Sequence, residues 1–274
     1  MRKLFACIIS VLSLAACSFD DGKIGKDPNN DIPSDKPTNQ RMLYRVNSTT
    51  NLGDDKHTLT FQYDNQNRII GFTDIYYEDS GVDYCSTSIT YNSDGSIKFI
   101  TNYNGSSYEY NALTNSDGSI ASVYDIEDDK TYYYEYDSNG RITSAMEDDN
   151  YELYEWQKGN MVKNISKWSY MDEGEKNETL LQYSSHPVKG INIDPNWIVI
   201  AEEPEIYILH PDDLSGTNTL FSQINTNYVS TAMTDWTTTT YTWSFDKQGY
   251  PIECVSHTVS GEGNYDVTYS FEYL

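Results

Sequence analysis

Asparagine and aspartate recur in short acidic turns along this chain, and oxygen-rich turns are a natural place for chemistry. Asn92-Ser93-Asp94-Gly95 and Asp137-Ser138-Asn139-Gly140 have the opening spacing of a calcium loop, in which alternate oxygens converge on the ion. Such a loop also needs a bidentate glutamate at its twelfth position, where this chain has Tyr103 and Asp148. The stretches therefore read as turns. Glu127-Asp128-Asp129 and Glu147-Asp148-Asp149 could collect calcium weakly at hairpin tips, but solvated charge is the simpler account. His57, His186, His210 and His257 are scattered, with no H-E-x-x-H pair and no cysteine-rich spacing, so no metal ligand set is expected. A nucleophile elbow, a phosphate loop and a dinucleotide fingerprint are all missing. With 42 acidic residues some close carboxylate pair is inevitable, so a pair says nothing by itself about glycoside hydrolysis. No catalytic residue and no cofactor is expected.

Aromatic side chains are the other chemical resource: 25 Tyr, 8 Phe and 5 Trp. Their faces stack on sugar rings and apolar ligands while tyrosine hydroxyls direct hydrogen bonds. Core packing explains most of them equally well. Trp197, Trp156 and Tyr134 are the candidate ligand-binding residues, Trp197 because it lies in the one irregular segment and the others because they could line an aromatic concavity.

The elements that must position these residues begin after an export signal. Arg2 and Lys3 precede the apolar run Leu4 to Ala16, which is too short to span a bilayer. The ending Leu14-Ala15-Ala16-Cys17 resembles the lipobox of bacterial lipoproteins, which implies residues 1–16 as signal peptide and Cys17 as the acylated first residue of the mature chain. Acyl chains anchor a domain to a leaflet without spanning it. Ser18-Phe19-Asp20-Asp21 resembles, with Phe19 as an interruption, the export signal of Bacteroidota surface lipoproteins. The expected location is thus the outer membrane, lipid-anchored and exposed at the cell surface. Residues 17–40, with Pro28, Pro33 and Pro37 among Asp, Asn, Lys and Gly, read as a flexible tether. Residues 41–274 form a single expected domain.

Loss of Arg2 and Lys3 takes the basic residues from 18 to 16 against 42 acidic ones, a formal charge of −26. Such a surface repels nucleic acid, whose phosphates need clustered Lys and Arg. Cys85 and Cys254 remain in the mature domain. An exported protein could join them, but Cys85 shares its alternation phase with Ile89 and Tyr91, which favours two buried thiols.

One phrase recurs. Tyr63-Asp64-Asn65-Gln66-Asn67-Arg68-Ile69, Tyr91-Asn92-Ser93-Asp94-Gly95-Ser96-Ile97, Asn115 to Ile120, Tyr136 to Ile142, the worn copy Trp156 to Val162, and Phe245 to Ile252 share its layout. An aromatic residue ends an outgoing strand, Asp or Asn caps a turn, Asn-Gly or Asp-Gly supplies positive φ, and an apolar residue starts the return. The flanks alternate: Tyr265, Val267, Tyr269, Phe271 and Tyr273 share one face, opposite Asp266, Thr268, Ser270 and Glu272. The expected fold is all-β, an antiparallel meander of about a dozen strands curled into an open or closed barrel to hide its edges. At 186–230 the rhythm breaks: Pro187, Pro195, Pro204 and Pro211 mark an irregular insertion that would serve as plug or binding loop. Most outward positions, such as Thr60, Gln62, Thr268 and Ser270, are too polar for a lipid-facing wall.

The Tyr-Asp-x-x-Gly-Arg-Ile phrase resembles the tyrosine-aspartate repeats of Rhs-type surface proteins. Combined with the lipobox and the closing segments Tyr241 to Pro251 and Tyr269 to Tyr273, residues 42–274 are similar to a Bacteroidota lipoprotein family of unknown function with a porin-like fold. The resemblance implies a curved or closed barrel and no activity. Anchor and aromatic surface together lead to the expectation of a non-catalytic binding or interaction lipoprotein, its partner a glycan, a peptide or an outer-membrane protein. A structural spacer and a carboxylate-dependent hydrolase are the alternatives.

Overall fold

The computed structural model describes residues 41–52, 56–78, 81–172, 174–188, 226–261 and 263–274. Within them lie sixteen strands: β1 (Leu43–Thr50), β2 (Lys56–Tyr63), β3 (Ile69–Glu78), β4 (Gly81–Tyr91), β5 (Ile97–Tyr103), β6 (Ser106–Thr114), β7 (Ile120–Asp125), β8 (Lys130–Tyr136), β9 (Ile142–Glu147), β10 (Asn150–Gln157), β11 (Asn160–Lys167), β12 (Asn177–Pro187), β13 (Asn227–Met233), β14 (Thr237–Phe245), β15 (Pro251–Ser260) and β16 (Gly263–Tyr273). Each pairs antiparallel with the next, and β16 returns to β1 with Val46 opposite Phe271 and Ser48 opposite Tyr269. The barrel is closed, so no strand edge is left to recruit another chain.

Sixteen strands exceed the expected dozen by four, and the reason is specific. Six copies of the turn phrase join twelve strands; β12 and β13 flank the insertion, and β1 and β16 meet through the chain ends, so no turn marks these four. The insertion is also shorter than 186–230, because β12 continues through Pro187 and β13 starts at Asn227. Val188 N donates to Thr226 O at 2.9 Å, closing its base.

Five of the six repeated turns are built alike, and the worn copy is instead a two-residue turn with Lys158 (φ 51°) and Gly159 (φ 79°) both left-handed. Asp137 N donates to Arg141 O (2.8 Å) and Gly140 N to Asp137 O (3.0 Å), while the Asp137 carboxylate accepts from Asn139 N and Arg141 N. This is a type I turn closed by a left-handed residue in a bulge. Gly140 has φ 73°; in the first copy Asn67 takes the same place at φ 61°, since asparagine is among the few side chains that tolerate it.

The aromatic that ends each outgoing strand has a second task, which sequence pattern alone did not show. Its polar tip donates to a backbone carbonyl at or near the start of the preceding strand. Tyr63 reaches Leu43 O at 2.6 Å, Tyr91 reaches Ile69 O at 2.9 Å, and Tyr136 reaches Ile120 O at 2.9 Å. Tyr183 to Met161 O, Tyr273 to Pro251 O, and the indole nitrogens of Trp156 and Trp243 to Ile142 O and Val229 O repeat the bond. At the one copy without an aromatic, Thr114 Oγ1 donates to Gly95 O instead. Burial pushes the Tyr63 and Tyr273 hydroxyls above the ordinary phenol range, which keeps them protonated as donors.

Much of the inward face is apolar. Leu59, Phe61, Phe72, Phe99, Tyr110 and Tyr269 are among one continuous buried cluster fed by strands all round the barrel. Outward positions on β14 and β16 are Thr238, Thr240, Thr242 and Ser244, and Asp266, Thr268, Ser270 and Glu272. This polarity is the reverse of a transmembrane barrel, which turns apolar residues to lipid and polar ones to its lumen. Cys85 and Cys254 are both buried and not joined in a disulfide, as the alternation phase of Cys85 indicated.

Candidate interaction surface at the distal rim

Because the hairpins alternate, the barrel has two unlike ends. The proximal end holds the repeated turns, the base of the insertion and both described chain ends, where Leu274 N donates to Met42 O. The distal end holds the remaining connections, including 104–105, 126–129, 148–149, 168–176 and 234–236. Large apolar side chains are exposed unevenly between them. Trp236 (81%), Tyr170 (69%), Val82 (57%), Tyr84 (44%), Ile126 (43%) and Tyr77 (41%) all lie at the distal end.

The exposed rim is held by built turns. Thr234 Oγ1 accepts from Trp236 N (3.2 Å) and Thr237 N (3.0 Å), which fixes the tip that carries Trp236. Asn104 accepts from Tyr84 N at 3.0 Å and donates to Asp83 at 2.8 Å, tying the β3–β4 hairpin to its neighbour. Tyr170 stacks on Trp168 with centroids 6.4 Å apart and planes 5° from parallel. Asp125 caps the 126–129 turn by accepting from Glu127 N and Asp128 N.

Carboxylates stand at both ends of the barrel. Asp128, Asp129, Asp148, Asp149, Asp172 and Asp235 project from distal tips and are exposed. Of the lysines nearby, Lys130 is paired with Glu147 and Lys176 with Glu178. Burial pushes the Asp125 carboxyl above its ordinary range against its backbone hydrogen bonds. Lys130 stays charged because the Glu147 contact outweighs the burial that opposes it.

Behind the rim the interior changes character. The apolar cluster gives way to small polar residues: Thr87 to Thr101 and Thr239 to Thr258 pair through their hydroxyls at 2.9 Å. Glu152, wholly buried, accepts from Tyr154 and from Asn164 Nδ2 (3.2 Å). Asn150 donates to Glu147 at 3.0 Å and accepts from Ser169 N, which pins the 168–176 loop to the wall. Asn164 Oδ1 and Ser166 Oγ are buried without a hydrogen-bond partner among the described residues. Both buried glutamates are thus engaged by neighbours that hold them in place.

The structure locates two of the three aromatic candidates elsewhere. Tyr134 is buried in the core. Trp156 is half-buried at the proximal end, its indole bonded to Ile142 O and covered by the Arg141 guanidinium 5.5 Å from the ring centroid. Trp197 and Cys17 lie outside the described residues. The rim residues come from hairpins far apart in sequence, Tyr77, Val82 and Tyr84 from β3 and β4 and Trp236 from the β13–β14 connection, so no local pattern groups them.

The barrel has solved counterparts. A porin-like protein from Bacteroides uniformis superposes with a TM-score of 0.57 at 15% identity, over 85% of this chain and 96% of the other. A porin-like protein from Bacteroides vulgatus matches at a TM-score of 0.40 and 10% identity, over 85% of this chain and 99% of the other. No family model and no curated protein matches the chain. The chain therefore shares a porin-like barrel fold.

Proposed function

We propose that this chain is a non-catalytic binding or interaction lipoprotein of the outer-membrane surface, anchored at Cys17, whose distal rim is its contact face. The carrying observation is that exposed aromatic and aliphatic side chains gather at the end opposite the one where residue 41 enters the barrel. A tether arriving at the proximal end holds that end toward the membrane and turns the rim outward. The buried apolar cluster across the proximal part of the interior supports the same reading, since side chains packed there leave a poor path for solutes. The porin-like counterparts are consistent with an outer-membrane setting.

A thermal-shift screen of the full chain in mild detergent against glycans, peptides and outer-membrane proteins tests the proposal. A dose-dependent rise that Trp236→Ala abolishes supports the rim. A rise that survives Trp236→Ala but is lost in Trp197→Ala moves the contact to the insertion, and a flat panel favours a structural spacer.

A further inference from the structure

A side chain that points into a closed barrel reaches solvent only through the lumen or its mouth. The apolar cluster is buried, but at the distal end of β2 and β3 the inward face opens. The His57 and Asp74 side chains keep 18% and 14% of their surface accessible, and Tyr76 is 41% exposed. All three share the inward phase of core residues, His57 with Leu59 and Phe61, Asp74 and Tyr76 with Phe72. Ser48 on β1 stands opposite His57, in phase with buried Val46.

The polar atoms of this wall are only partly used. His57 Nε2 donates to Asp74 Oδ1, and the His57 and Tyr76 rings lie 5.7 Å apart at 47°. His57 Nδ1, Asp74 Oδ2 and Ser48 Oγ make no hydrogen bond among the described residues. Serine, histidine and aspartate together suggest acyl transfer. Here β1, β2 and β3 are paired on both sides at this register, so their backbone N–H groups are taken by the ladder and no oxyanion hole remains. The set can hold a ligand and lacks the means to activate one.

The chemistry of the open atoms narrows that ligand. A carboxylate oxygen, an imidazole nitrogen and a hydroxyl suit partners that both donate and accept, as sugar hydroxyls do, and a tyrosine face stacks on a sugar ring. An anion would meet Asp74 and, opposite Tyr76 on β4, Asp83. For a cation, the imidazole already occupies one oxygen of Asp74. Among the described residues no three His, Cys, Asp or Glu side chains are grouped to hold a metal ion.

We infer, building on the distal end as contact face, that the β1–β3 wall of the barrel mouth binds an uncharged sugar ring of a glycan, stacked on Tyr76 and hydrogen-bonded by Asp74, His57 and Ser48.

Isothermal titration calorimetry on the full chain, in a detergent without a sugar headgroup, tests this. The probes are neutral trisaccharides of glucose, galactose, mannose and N-acetylglucosamine, with trigalacturonate as the anionic match. At least one neutral sugar should bind, about tenfold more tightly than the uronate. Asp74→Asn, which keeps the side chain's shape, should weaken it about tenfold, and Tyr76→Ala about fivefold. Outward Thr240→Ala should leave it unchanged. Thermal melts confirm that each variant folds, and exposed Tyr76 carries the test if Asp74→Asn does not fold. Binding by none of the four sugars, equal affinity for the uronate, or affinity unchanged in the folded Asp74 and Tyr76 variants would overturn the inference. If a sugar is lost with Trp236→Ala instead, or only a peptide or outer-membrane protein binds and needs Trp236, the sugar site falls and the rim stands as contact face. If no ligand depends on Asp74, Tyr76 or Trp236, both fall.

Discussion

Removing single hydroxyls from the repeated tyrosines should destabilise the barrel in equal, additive steps. Tyr91, Tyr136 and Tyr183 donate to Ile69 O, Ile120 O and Met161 O at 2.9, 2.9 and 2.6 Å. Phenylalanine keeps each ring in place and strands the carbonyl below it, so each change costs the net bond and part of the carbonyl's desolvation, about 1 kcal/mol and at most about 2. The three donors stand on β4, β8 and β12, four strands apart, or roughly 19 Å along the sheet at about 4.8 Å per strand. At that separation effects should add. The triple Phe variant therefore loses about 3 kcal/mol, which at a urea slope near 3 kcal/mol/M moves the midpoint by about 1 M. Tyr133→Phe, an exposed outward neighbour, serves as control and should not move it. Near-UV circular dichroism follows the transition. Single variants within about 0.3 kcal/mol of the parent, or a triple variant no weaker than its weakest single, would refute the latch as a repeated structural bond.

Further perturbations probe other links. Gly71→Ala should destabilise by about 1–3 kcal/mol in the same assay, because its Cβ would sit 2.8 Å from the Thr87 carbonyl oxygen in a tight core; Gly140→Val should cost a comparable amount by forcing a β-branched residue to φ 73°. Hydrogen bonds from Arg141 and Asn139 outweigh the opposing burial and bring the Asp137 carboxyl down to about 2. Its stabilising contribution is thus full above the unfolded value near 3.8 and lost as pH falls from about 4 toward 2. Thermal melts from pH 5 to 2 should show a steeper fall in the parent than in Asp137→Asn. Burial pushes the Cys254 thiol well above its ordinary range, so thiol reagent at neutral pH should label Cys85 and Cys254 only after denaturation, with no reductant required.

How much of this was legible in the sequence depends on the range of the interaction involved. The turn from Asp137 to Arg141 closes on itself, so its capping carboxylate, its left-handed glycine and the returning Ile142 could all be read locally. The Tyr136 latch spans sixteen residues to Ile120 and depends on a neighbouring hairpin, so the conserved layout of the phrase was visible but the bond it serves was not. Strand number failed where local marks were missing, at the chain ends and beside the insertion.

The distal rim lies at the far end of that scale. Asp83-Tyr84 and Asp235-Trp236 are separated by about 150 positions in sequence, and only the strict alternation of hairpin ends brings both to one mouth of the barrel. The same alternation acts on the arginines. Arg68, Arg141 and Arg41 all fall on the proximal end, where they stack on Tyr91, Trp156 and Tyr250. A closed meander therefore does more than hide its edges. It sorts side chains by the parity of the turn they flank, and in this chain that sorting places Arg41, Arg68 and Arg141 at the proximal end and exposed rings such as Trp236 and Tyr170 at the other.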